Sequence, residues 1–278
     1  MTGDIATLGV PTFHTRVEAW ECDHNQHWNV RQYMRVFQMA GHVARDMAGA
    51  APAMPFSQLT RFHRELVQTS PVEIRSAILA DGAHAGALVH LLSSEGRLAA
   101  TALEGPALPA CDLPGVSADH VGPALPRGLQ GGAHVRRDPV ATDGFKVIEH
   151  GLVQPREADH TGALAVDFLM GRIAAATNER LSQLGFTPEF VRSQQISRMG
   201  VESRVTIFDA IPVGTRLRSV ARIVKAEGKN IVVRHSFFDT GGKARAASDQ
   251  SLVTVDMTTR KACALPDFMI GVAEGDGP

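Results

Sequence analysis

Trp20–Glu21–Cys22–Asp23–His24–Asn25–Gln26–His27–Trp28–Asn29–Val30–Arg31–Gln32–Tyr33 holds both tryptophans and the only tyrosine of the 278-residue chain. Within it, Asp23, Asn25, His27 and Asn29 stand at every second position. Val30, Tyr33, Met34, Phe37, Ala40, Ala44 and Met47 then recur at helical spacing. The segment places groups that accept, donate or carry a proton at the start of a helix, where water can be activated and a developing oxyanion held.

The stretch returns later in the chain. Glu21–Cys22–Asp23–His24 is matched by Glu157–Ala158–Asp159–His160, with Val17 and Val153 at equal distances upstream. The second block is also followed by helical spacing, in Val166, Leu169, Met170, Ile173, Ala176 and Leu181. Downstream, Pro71–Val72–Glu73–Ile74–Arg75–Ser76 parallels Pro212–Val213–Gly214–Thr215–Arg216–Leu217, and Ala87–Leu88–Val89–His90–Leu91 parallels Ile231–Val232–Val233–Arg234–His235. Each half reads as strand, helix, then strands joined by turns such as Asp81–Gly82 and Thr240–Gly241–Gly242. Between them, a Pro- and Gly-rich stretch lacks periodicity and fits a linker. The expected organisation is a first repeat over 1–112, a linker over 113–144 and a second repeat over 145–278.

Composition narrows the partners. A formal net charge of −1 with interspersed signs predicts neither a nucleic-acid nor an anionic-membrane partner. No uninterrupted apolar run reaches the roughly 18 residues of a membrane helix, and the N-terminus lacks the pattern of a secretory signal. Cys22, Cys111 and Cys263 are odd in number and widely spaced, which suits a reducing compartment. The expectation is a cytoplasmic protein.

Asp23–x–Asn25–Gln26–His27–x–Asn29–x–x–x–Tyr33 resembles the D-x-N-x-H-x-N…Y signature of acyl-ACP and acyl-CoA thioesterases. The Cys22–Asp23 pair after an apolar strand is also similar to the catalytic-aspartate region of the 4-hydroxybenzoyl-CoA thioesterase group. One long helix with an antiparallel sheet, used twice, resembles a tandem (double) hotdog. That is an α+β fold in which each curved antiparallel sheet wraps around one central helix. The resemblance implies hydrolysis of an acyl-CoA or acyl-ACP thioester, with Asp23 as general base or nucleophile and Asn25 and His27 orienting water or thioester. It further implies substrate contacts from Asn29, Tyr33 and Trp28. Cys22, Asp23, His24 and His27 are metal-ligand types, but residues alternating on a strand point to opposite faces and no second ligand pair accompanies them, so neither a metal nor a cofactor is expected. Plant acyl-ACP enzymes carry this motif in their second repeat; its place in the first repeat here favours an acyl-CoA type. Two chains pairing through exposed sheet edges is a further expectation.

Structural alternatives stand beside these roles. Asp23 can cap a turn, Asn25 can make an Asx turn, His27 can be a hydrogen-bonded structural histidine, and Trp28 and Tyr33 can be core or pocket wall. Cys22 is expected to be a small buried hydrophobe, and Asn29 a helix cap. In the second copy Asn25, His27 and Asn29 become Thr161, Ala163 and Ala165. One complete site is therefore expected, with Asp159 and His160 as a degenerate or auxiliary pair. Rival readings are a hotdog enoyl-CoA hydratase or dehydratase, where a histidine five residues after the aspartate would be required, and a non-catalytic acyl-CoA-binding module. No Gly-x-Ser-x-Gly elbow or phosphate loop is present.

Overall fold

A computed structural model describes residues 5–108, 111–129 and 134–274. Its elements are β1 (Val10–Arg16), α1 (Val30–Met47), β2 (Phe56–Phe62), β3 (Pro71–Leu79), β4 (Leu88–Ser94), β5 (Arg97–Gly105), the short β6 (Gly115–Val116), β7 (Ile148–Leu152), α2 (Val166–Gln183), α3 (Pro188–Gln194), β8 (Ile196–Ile207), β9 (Arg216–Glu227), β10 (Asn230–Phe238), β11 (Ala244–Asp256) and the short β12 (Lys261–Ala262). The chain forms two compact units, 1–127 with 165–170, and 128–164 with 171–278.

In the first unit the helical spacing becomes α1. Asn29 caps it, its Oδ1 accepting the Arg31 N–H at 3.0 Å, which satisfies one of the donors a helix start leaves open. Tyr33, Val36, Phe37 and Ala40 line the buried face and pack with Val17, Trp28, Val72, Ile74, Leu92, Ala100 and Ala102. The sheet beneath runs β1-β3-β4-β5-β2 with antiparallel neighbours throughout. Every residue of β4 is buried, as expected of a central strand with both faces covered.

The second unit repeats this order as β7-β9-β10-β11-β8, again antiparallel. Its core gathers Ala176 and Leu181 of α2 with Ile223, Ile231, Val233 and Leu252 of the sheet. Each unit is thus one long helix on a five-stranded antiparallel sheet in the same strand order, the double hotdog expected from the sequence. No helix among the described residues is long and apolar enough to cross a membrane.

The Pro- and Gly-rich stretch divides between the units. In the first, β6 pairs in parallel with β3, and Arg61 Nη1 donates to the carbonyls of Gly122 and Leu125 at 3.1 and 2.8 Å. In the second, the buried Glu202 carboxylate accepts the N–H groups of Gly128 and Leu129 at 2.6 and 3.1 Å.

Two alignments within the repeat need correction. Val17 N donates to Ser70 O at 3.0 Å, and Val153 N donates to Thr215 O at 2.9 Å, so Pro71 corresponds to Arg216 rather than to Pro212. Pro212 occupies the place of Val67: His27 bridges to Val67, and Ala163 bridges to Pro212. Carried into the next strand, this register sets His90 opposite Ser76 and His235 opposite Ala221. His90 therefore answers to His235, one residue from the match read off the sequence. The Pro-Val dipeptide misled because its two copies lie on different sides of the turn that opens the strand.

Candidate active site

The motif folds into a tight turn before α1. Asp23 N donates to His27 O at 2.8 Å, and Gln26 N donates to Asp23 O at 2.9 Å. Gln26 holds a left-handed φ of 64°, the conformation that lets the chain reverse in so few residues. Asp23 Oδ1 accepts the N–H groups of Asn25 and His27 at 2.8 and 3.1 Å. The carboxylate is thereby fixed in orientation by its own turn, and Oδ2 is the oxygen left to accept from a water. The turn is tied down on its far side, where Trp28 N donates to Leu66 O at 2.7 Å.

That tie brings in a residue the sequence reading missed. Glu65 Oε1 lies 3.1 Å from His27 Nδ1, with the histidine side chain 16% exposed and the glutamate 41%. A carboxylate at Nδ1 keeps the imidazole proton there and presents Nε2 as the acceptor. A sequence signal for Glu65 did exist. In the register set by Ser70 and Thr215, Glu65 aligns with Ala210 and His27 aligns with Ala163, so both partners are lost together in the second copy.

The remaining motif residues divide by burial. Asn25 is exposed, and the Asn29 carbonyl oxygen of the side chain is engaged as the helix cap. Trp28 and Tyr33 are buried in the core, their rings 4.5 Å apart, and Tyr33 meets Phe62 edge-on. Trp28 Nε1 donates to Glu21 Oε2 at 2.9 Å. Burial pushes the Tyr33 hydroxyl far above its ordinary range, so it serves as wall rather than as acid or base. Cys22 is half-buried beside the same core, and burial, followed by the charges of Asp23 and Glu21, raises its thiol above the ordinary value. A thiol so placed is a poor nucleophile.

The second copy keeps the turn and replaces the polar side chains Asn25 and His27 with Thr161 and Ala163. Asp159 N donates to Ala163 O at 2.8 Å, Gly162 N donates to Asp159 O at 3.0 Å, and Leu164 N donates to Ile211 O at 2.8 Å. Asp159 Oδ1 accepts the N–H and hydroxyl of Thr161 at 2.8 and 2.6 Å. Gly162, at φ 82°, replaces Gln26 at the left-handed position. His160 is exposed, as His24 is in the first turn.

Comparisons with known proteins agree with this fold. The sequence model of the thioesterase-like superfamily matches residues 153–271. Among solved structures, one assigned as an oleoyl thioesterase from Lactobacillus plantarum superposes with a TM-score of 0.59 at 12% identity, covering 90% of this chain and 98% of that one. A 12:0-ACP thioesterase from Umbellularia californica gives 0.55 at 12% identity, covering 90% and 95%. An acyl-ACP thioesterase from Bacteroides thetaiotaomicron gives 0.56 at 10% identity, covering 86% and 96%. No protein of curated function is similar enough to count as a match. The chain is a double-hotdog protein.

Proposed function

We propose that this protein hydrolyses an acyl thioester carried on coenzyme A or an acyl carrier protein, and that the reaction takes place at the turn formed by residues 23–27. The observation that carries this reading is the Asp23 carboxylate, held by two backbone N–H groups in the turn before α1, the same turn that carries the His27–Glu65 pair. Asp23 takes the proton of a water whose oxygen adds to the thioester carbonyl, or adds to that carbonyl itself before water releases the acid. In both routes the carbon–sulfur bond breaks and the thiolate leaves. His27 Nε2, held by Glu65, orients the water or thioester, and the positive end of the α1 dipole favours the developing oxyanion. The whole-chain likeness to thioesterase folds and the superfamily match of the second repeat support the reading, as does the motif in the first.

The test is release of free thiol from a panel of acyl-CoA and acyl-carrier-protein substrates, comparing the wild type with Asp23→Asn. Asparagine keeps the Oδ1 that accepts the turn's N–H groups, so loss of thiol release with an unchanged circular dichroism spectrum supports the role. Undiminished release in the variant moves the site elsewhere. Hydration of an enoyl-CoA without thiol release would make the protein a hydratase instead.

A further inference from the structure

Trp20 is the tryptophan that the core does not take up. It is 81% exposed, while Trp28 is 4% exposed. An indole offers about 150–250 Å² for burial, so leaving it in water forgoes one of the largest apolar gains a side chain can make.

The backbone beneath it is fixed. Trp20 stands in a 3-10 turn over Ala19–Glu21, where Glu21 N donates to Glu18 O at 3.1 Å and Glu18 N donates to Glu21 Oε2 at 3.2 Å. The same Oε2 accepts from Trp28 Nε1 at 2.9 Å, and Glu21 O accepts from Asn29 N at 2.9 Å. The turn is thereby tied to the core and to the cap of α1, and the indole is presented from a rigid base. Three Cα–Cα steps of about 3.8 Å keep the Trp20 Cα within ~11 Å of that of Asp23.

The turn does not need a tryptophan to form. In the second copy Gln154 N donates to Glu157 Oε2 at 2.8 Å and Glu157 N donates to Gln154 O at 2.9 Å, closing the same turn around Arg156. Trp20 therefore belongs with Asn25, His27 and Glu65, the side chains that the second copy lacks. An aromatic face that the fold does not require, and that accompanies the reactive motif, is suited to recognising what the motif acts on.

A cation stands on the same support. Arg35 Nη1 lies 3.7 Å from Glu21 Oε1, with the arginine side chain 55% exposed and the glutamate 13%. That separation is too long for a hydrogen bond, so the pairing leaves guanidinium donors for a second anion. A planar π face and a half-exposed guanidinium, both anchored at Glu21, match an adenine nucleotide. The base stacks on the indole, and a phosphate takes the guanidinium. An acyl carrier protein presents no such base.

We propose that the thioester carrier is coenzyme A, with its adenine stacked on Trp20 and one of its phosphates paired with Arg35. This inference rests on thioester hydrolysis at Asp23. At ordinary bond lengths the pantetheine arm spans ~15 Å from sulfur to phosphate, so the sulfur reaches the Asp23 turn while the nucleotide stays at its rim.

The first experiment compares one acyl group carried on coenzyme A and on pantetheine, in the wild type and in Trp20→Ala. Expected is a kcat/KM at least ~10-fold higher for the coenzyme A thioester in the wild type, with the ratio falling toward one in the variant. A wild-type ratio near one, or a ratio that Trp20→Ala leaves intact, overturns the proposal. Circular dichroism checks the fold of the variant; if it does not fold, the wild-type ratio and the second experiment decide. That experiment needs no turnover and titrates adenosine 3′,5′-bisphosphate against tryptophan emission. Trp28 is buried, so saturable quenching that disappears in Trp20→Phe supports the stack, and Arg35→Gln should raise its midpoint ~5-fold or more. Absent quenching, or equal quenching by ATP, overturns the assignment to coenzyme A. Trp20-dependent quenching by the bisphosphate without thiol release from any substrate keeps the nucleotide contact and removes the hydrolase reading; thiol release without preference for coenzyme A does the reverse.

Discussion

The turn at 23–27 and the turn at 159–163 share a backbone and differ in what hangs from it. Each closes with the N–H of its aspartate on a carbonyl four residues later, each passes through a left-handed residue, and each leads into an 18-residue helix. The first carries Asn25 and His27 and is backed by Glu65; the second carries Thr161 and Ala163 and is backed by Ala210. In both, the aspartate carboxylate caps the turn, so the structural and chemical readings of Asp23 are compatible. Under the proposed reaction Asp159 serves as a turn residue, and it shows what Asp23 would be without its neighbours. The cores diverge as well, since the buried histidine of the second repeat meets the Thr177 hydroxyl while His90 Nε2 of the first faces the Glu104 carboxylate at 3.5 Å.

The sharpest way to break this comparison is to exchange the two aspartates for asparagine separately. Asp23→Asn is expected to lower kcat by about 10²–10⁴-fold, the usual worth of a positioned acid or base, while Asp159→Asn leaves thiol release near wild type. Equal losses in both would mean that the turns work as one structural pair. A change in the buried cores comes next. Arg45→Met strands the Glu104 carboxylate and is expected to cost about 3–5 kcal/mol, whereas Thr177→Val, which removes one hydroxyl, costs ~1–2 kcal/mol. Urea midpoints of the two variants check that order.

Acid stability probes the buried histidine of the second core. Burial lowers His235 from 6.5 to about 4, so it stays neutral in the folded protein where the unfolded chain takes up a proton. Its stabilising contribution is full above pH 6.5, falls as the pH drops toward 4, and levels off below that. The loss over this window is about 3 kcal/mol by linkage. A shallower pH dependence of the urea midpoint in His235→Gln is the expected result, and an unchanged slope would assign the titration to other groups.

Two smaller effects sharpen the site. Glu65→Gln keeps a hydrogen-bonding group beside His27 but removes its charge, and an activity loss of about 10-fold is expected against a larger one for Glu65→Ala. Nitrogen-15 shifts of the His27 ring check the cause, since the proton should leave Nδ1 in Glu65→Ala. Gly162→Gln would give the second turn the left-handed residue of the first and should cost ~1–2 kcal/mol, read from the thermal midpoint.

Much of this was legible in the order of residues. The spacing of Tyr33, Phe37, Ala40 and Ala44 marks the buried face of α1, and the return of Glu-x-Asp-His marks the duplication, because both features are local and periodic. Asn29 was legible as a cap for the same reason. Glu65 was not, because it stands 38 positions after His27 and the pairing of Trp28 with Leu66 closes that gap. The internal alignment slipped at Pro212 because a dipeptide match carries no information about which side of a turn it occupies.

The sequence by itself determined two copies of a helix-on-sheet unit and one copy of the polar motif, since helical periodicity and tight-turn chemistry act over a few residues. Only the tertiary structure decided which groups complete the site and what the core contains. Thr12, Ser76, His90, Glu104 and Gln58 are scattered polar residues along the chain, and they become one buried band because antiparallel register lines up five strands beneath a single helix.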